Sequence, residues 1–190
     1  SSSQRLEDFI AESPFNYREN CILYIPGDLP KTPMGSEMEA QCLAEQICKK
    51  YNSRDPFEIA EGRNIIVLYE PLGSIRGYYS KSLRQAFIHI NQDLERQQAL
   101  FTCGHELAHF ILHPNTNTPF LRASTFFSVN KLEVQANQFS VCMIYSDEEL
   151  RPFLNRSICD VALYMGVPIN LAEYRMKNIV CNQFAGERNI

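Results

Sequence analysis

Three of the four histidines in this 190-residue chain fall at positions 105, 109 and 113. The first two bracket His105-Glu106-Leu107-Ala108-His109, a match to H-E-x-x-H. On a helix, residues four apart share one face and stand one turn apart, so both imidazoles reach a single ion. Glu106 lies next to that face, placed to take a proton from a water at the metal rather than to ligate. Two histidines do not complete such a centre. A catalytic zinc site uses three protein ligands and keeps one position open.

Two residues compete for the third place. His113 is nearest in sequence, but on a continuing helix it sits eight residues, about 12 Å of rise, from His105, too far to share one ion. It reads better as a helix-end cap, favourable at the negative pole, or as a contact behind the ligands or to substrate. Glu133, in Lys131-Leu-Glu-Val-Gln-Ala-Asn-Gln-Phe139, opens the helix expected after a long loop. A helical hairpin would return it to the His105/His109 face. Asn137 is four residues on, where its amide oxygen can accept the free ring N–H of a ligating histidine. The competing reading makes Glu133 a first-turn carboxylate serving its own helix and Asn137 a solvated polar residue. Spacing alone leaves both open.

The elements that must position these residues read as α+β. Residues 1–35 are an irregular, proline-bearing arm. Ser36 with Glu39 fits a capping box for a first helix, and Asp55-Pro56 starts a shorter second one. Residues 64–69, 75–79 and 86–91 are short β-type runs, expected to form a three-stranded antiparallel sheet because their connections are too short for crossovers. This small sheet is expected to pack on the H-E-x-x-H helix, capped by Asp93 and running over 93–112. After a loop over 114–129, a helix is expected over 131–145. Three shorter ones follow near 147–154, 157–165 and 170–180. The expected division is an arm over 1–35, a zincin-like core over 36–146 and a C-terminal helical subdomain over 147–190.

Composition bounds the partners. The net charge of −4 argues against a broad nucleic-acid surface. The last helices, with Gly166-Val167-Pro168 at their turn, read formally as a helix-turn-helix. Only Arg175 and Lys177 nearby would serve DNA, so docking or a structural role is favoured and no direct nucleic-acid partner is expected. No apolar run approaches the roughly 18 residues of a membrane span, so no membrane partner is expected. Seven cysteines at wide spacings without Cys-x-x-Cys fit reduced, mostly buried thiols of a cytoplasmic protein. Cys103 and Gly104 precede His105. The first reads as a buried thiol rather than a switch, the second as a point of close backbone approach. The strand over 86–91 is a candidate for pairing with an extended substrate, with His89 on it a partly buried strand residue. The oligomeric state is left open.

The run from Ile75 to Phe139 resembles the ImmA/IrrE family of bacterial and phage metallopeptidases. The similarity lies in Ile75-Arg-Gly77-Tyr78, Ile88-His-Ile-Asn91, Phe101-Thr102-Cys-Gly-His105-Glu106-Leu107-Ala-His109-Phe-Ile-Leu112-His113 and Glu133-Val-Gln-Ala136-Asn137-Gln-Phe139. It extends to Val161-Ala-Leu-Tyr-Met-Gly166-Val167-Pro168 and Tyr174-Arg175-Met176, and covers roughly residues 36–180. Ala108 stands where the family often has Gly, and the stretch after Phe139 lacks its usual Pro. The resemblance implies Zn2+ held by His105, His109 and Glu133, with Glu106 as catalytic base. The oxyanion stabiliser is left among His113, Tyr78, Tyr79 and Tyr145. The resemblance also implies a protein substrate, a helix-turn-helix repressor whose cleavage derepresses phage or mobile-element genes. The alternative is a non-hydrolytic regulator that keeps the metal as a folding staple. Glu106 argues against it, because a structural site needs no base.

Overall fold

In the computed structural model, the backbone is described for residues 35–112 and 126–186, and the side chains for 40–112 and 131–179. The first helix, α1 (Gly35–Tyr51), buries Ala40, Ala44, Ile47 and Cys48, a stripe at helical spacing. The side chains of its first turn, including Ser36 and Glu39, lie outside the described residues. Asp55 caps α2 (Pro56–Gly62) by accepting from the Phe57 N–H at 2.8 Å, and proline takes the first turn, where its missing N–H costs nothing.

The sheet comprises β1 (Ile65–Glu70), β2 (Gly77–Ser82) and β3 (Gln85–Asn91) in the order β1-β3-β2. It is mixed, not antiparallel throughout. β2 and β3 form an antiparallel hairpin, but β1 runs parallel to β3, with Ile65 opposite Ala86 and Val67 opposite Ile88. Short connections do exclude a crossover between consecutive parallel strands. Here the parallel pair is not consecutive, because β2 itself is the return path. β3 is therefore central and paired on both sides, so the expected substrate edge at 86–91 does not exist. Among the described residues the outer strands are β1 and β2.

Ala86, Ile88 and Ile90 of β3 are buried on one face together with Ile65 and Tyr79. The Tyr79 ring meets Phe110 edge-on at 5.6 Å, bringing the sheet against α3 (Arg96–Leu112). Asp93 does not cap α3. It lies in the preceding turn, where its N–H donates to Asn91 Oδ1 at 3.1 Å, and the helix begins three residues later.

The helix α4 (Phe126–Ile144) starts ahead of the expected position 131. Glu133 thus lies two turns in, where a first-turn role for its carboxylate no longer applies. Ala136, Phe139, Ser140, Val141, Cys142 and Met143 are all buried, since α4 packs against α1, α3 and the last described helix. The chain continues through α5 (Asp147–Leu150), a 3-10 turn (Arg151–Phe153), α6 (Ile158–Met165) and α7 (Ile169–Gly186). Ser146 and Ser157 cap α5 and α6, and Gly166 ends α6 in the left-handed conformation at φ 63°, where glycine avoids a Cβ clash. Among the described residues no helix is long and apolar enough to cross a membrane.

Two arginines secure the C-terminal end of α4. Arg54 donates to the carbonyls of Cys142 and Met143 at 3.0 and 3.1 Å and pairs with Glu45 at 2.7 Å. Arg175, 1% exposed, donates to the Tyr145 carbonyl through Nε and one terminal nitrogen at 3.1 and 2.8 Å, and pairs with Asp147. Cations there satisfy carbonyls that the helix leaves orphaned and oppose its negative pole. Arg175 is thus a core side chain, not one open to phosphate. Arg175→Met is expected to cost about 3 kcal/mol, because it strips a buried carbonyl and a carboxylate of their partner. Thermal unfolding of the variant measures it.

Candidate metal centre

The 3.6-residue period puts His105 and His109 on one side of α3, and that side faces α4. The two Nε2 atoms lie 3.0 Å apart. The Glu133 carboxylate joins them from α4, with Oε2 at 3.2 Å from His105 and Oε1 at 3.4 Å from His109. Ligand atoms of all three residues fall within 4.8 Å of one another. This is the convergence a helical hairpin was expected to give. Asn137, one turn beyond Glu133, has Oδ1 at 2.8 Å from His105 Nδ1. An amide oxygen accepts there only if Nδ1 carries the hydrogen, which leaves the Nε2 lone pair aimed at the cluster.

The electrostatics suit a cation. When the imidazoles are protonated, their hydrogen bonds hold the Glu133 carboxyl far below the usual carboxylate range, against its partial burial. Burial alone would lower the His105 pKa, but the hydrogen bond to Glu133 and the charges of Glu106 and Glu133 outweigh it, and the net direction is up. Two imidazole nitrogens and a carboxylate form a donor set that fits Zn2+ and related divalent ions.

Glu106 is 6% exposed and does not join the triangle. Burial raises its carboxyl pKa, against the nearby histidines and a hydrogen bond to the Tyr79 backbone. Its Oε2 is buried without a hydrogen-bond partner among the described residues. An acceptor buried and half-satisfied beside the His105–His109–Glu133 cluster is in a state to take a proton. The Tyr79 backbone contact was not legible in the sequence, because every residue carries the same amide.

The other candidates separate. Tyr145 is buried, and its hydroxyl donates to the Met165 carbonyl at 2.6 Å. It lies twelve residues beyond Glu133, about 18 Å of helical rise, and is no oxyanion stabiliser. Tyr78 alternates with Tyr79 and so faces away from α3, its ring stacked on His89 at 4.2 Å. His89 in turn reaches Ser80 at 3.0 Å and Glu70 at 2.5 Å across the sheet. His113 lies outside the described residues.

Gly104 faces α4: a Cβ there would meet Ser140 Oγ at 2.6 Å and Ile144 Cδ1 at 3.4 Å. The close approach is real, but a side chain makes it rather than a backbone. Ser140 Oγ donates to the Phe101 carbonyl at 3.2 Å, so it cannot turn aside freely. Gly104→Ala is expected to lose about 1 kcal/mol, since overpacking outweighs the gain in helix propensity. Adding Ser140→Ala should return part of that in a double-mutant cycle read by chemical denaturation. Cys103 is fully buried, and burial pushes its thiol pKa far up, so it is an inert core group.

The comparisons with known proteins agree with this geometry. The peptidase family model described as IrrE N-terminal-like domain matches residues 60–177. The chain belongs to the ImmA/IrrE family of metallopeptidases. The matched span takes in α3, α4 and the whole sheet. A relative named metallopeptidase ImmA, from Bacillus subtilis (strain 168), is 30% identical over 141 residues, covering 71% of this chain and 82% of that protein. The uncharacterized immunity region protein 2 of Bacillus phage phi105 is 38% identical over 134 residues, covering 69% and 85%. Membership of the ImmA/IrrE metallopeptidases implies a divalent metal, and among the described residues His105, His109 and Glu133 form the group that could hold one.

Proposed function

We propose that this ImmA/IrrE metallopeptidase is a zinc endopeptidase that cuts one protein partner, a helix-turn-helix transcriptional repressor. The observation that carries the reading is the meeting of His105, His109 and Glu133 within 4.8 Å beside a buried, half-satisfied Glu106. His105, His109 and Glu133 hold the ion, and Asn137 orients His105. A divalent ion in such a donor set supplies Lewis acidity, polarising the scissile carbonyl and lowering the pKa of an attacking water. Glu106 accepts the proton of that water and returns it to the leaving amine. The Tyr79 amide keeps the Glu106 carboxylate aimed, so β2 positions the base. As an outer strand of the sheet, β2 is also the strand beside which an extended substrate lies.

The repressor reading draws on the immunity-region relative and on the family resemblance. It is tested by incubating the purified chain with the repressor encoded beside it, with and without chelator. A single chelator-sensitive cut is expected. An intact repressor in the presence of metal would remove that substrate.

A further inference from the structure

The cleft beside the metal cluster holds about 420 Å3. The loop ahead of β2, one side of α3 and the start of α7 form its walls, through Arg76, Phe101 and Leu171, and it opens onto His105 and Glu106. Ile75 and Pro168 make the surface further apolar. Among the described residues that line it, Arg76 is the only Lys or Arg.

The backbone around Arg76 is held on both sides. Asn91 Nδ2 donates to the carbonyls of Gly73 and Ile75 at 2.9 and 3.0 Å, and the Asn91 N–H donates to the Arg76 carbonyl at 2.8 Å. At Gly77 a Cβ would lie 2.6 Å from both the His89 carbonyl oxygen and Thr102 Cγ2. Only glycine lets the strand come this close to α3, and that closeness sets the preceding arginine over the cleft. Burial lowers the guanidinium pKa from its ordinary value, yet arginine stays charged at any working pH. A half-buried guanidinium with a planar fork of donors can add a carboxylate in bidentate fashion to the contacts it already makes, and binds it more strongly and more specifically than a fully exposed cation.

We propose that Arg76 is a specificity-determining residue that receives a carboxylate of the substrate beside the bond that is cut. The proposal rests on the endopeptidase reading, and its test separates the two. The probes are fluorescent peptides of one sequence, blocked at both ends, with Glu, Gln or Lys at each position in turn, plus the Gln series with a free C-terminus. Binding to the metal-loaded Glu106→Gln chain needs no turnover.

Glu peptides at one or two positions should bind about tenfold more tightly than their Gln partners, the scale of one charge-assisted contact. A preference for the free C-terminus instead would assign the carboxylate to the chain end. In the Glu106→Gln/Arg76→Gln chain the preference should vanish while the Gln peptides bind as before, and Arg76→Glu should favour Lys. Equal Glu/Gln discrimination with and without Arg76, or no discrimination at all, overturns the proposal. Selective binding with no cleavage of any peptide by the unaltered chain would leave it standing and remove the endopeptidase reading alone.

Discussion

Glu106→Gln is expected to abolish cleavage while the metal stays in place. The amide keeps the shape of the carboxylate and its contact to the Tyr79 backbone, and the three converging ligand groups are untouched. What disappears is the proton acceptor, and loss of a general base costs about 10^2 to 10^4 in rate. The fold should not suffer. Burial raises the Glu106 pKa, so the metal-free folded chain holds this proton more tightly than the unfolded chain does. Stability therefore falls as pH rises from the ordinary carboxylate range through the folded value. A neutral Gln removes that fall, and the metal-free variant should be at least as stable at neutral pH. Metal content by mass spectrometry, turnover of a cleaved substrate and unfolding against pH report the three effects separately. Retained turnover would remove Glu106 as the base.

Glu133→Ala is expected to strip the centre of its metal. The carboxylate meets both imidazoles, at 3.2 and 3.4 Å, and without it two histidines remain where a catalytic site needs three protein ligands. Losing a group behind a ligand costs about 10- to 100-fold in affinity. Losing the ligand itself should exceed that, so metal per chain after gel filtration should fall well below one. Asn137→Ala supplies the smaller comparison, since it frees His105 Nδ1 and leaves all three ligands. Unchanged metal content in Glu133→Ala would place the third ligand elsewhere. Activity should follow the metal in both variants, and added ion should rescue Asn137→Ala first.

Local geometry explains which parts of the site were legible beforehand. His105 with His109, and Glu133 with Asn137, are both pairs four apart, and the helical period alone assigns each to one face. The Asp55 cap and the Gly166 stop are equally local, because each satisfies backbone groups within a few residues. The expected antiparallel sheet failed where that locality ends. Strand runs were read within three residues of their bounds, but the parallel pairing of β1 with β3 depends on β2 returning between them. The same error put the substrate edge on a central strand. Tyr145 failed for a related reason: its residue type suits an oxyanion, yet its hydroxyl is committed to Met165 across the core.

The sequence by itself determined the chemistry available: two histidines and a carboxylate at one helix turn, a second carboxylate and amide at another, and the family to which that spacing belongs. Only the tertiary structure decided that Glu133 reaches both imidazoles, that Glu106 is buried against a strand, that Arg54 and Arg175 hold the end of α4, and that Arg76 lines the cleft. The division has a physical reason. Periodicity sets which side chains share a face through bonds of a few residues, whereas burial, desolvation and cross-chain hydrogen bonds arise only when faces far apart in the chain pack together.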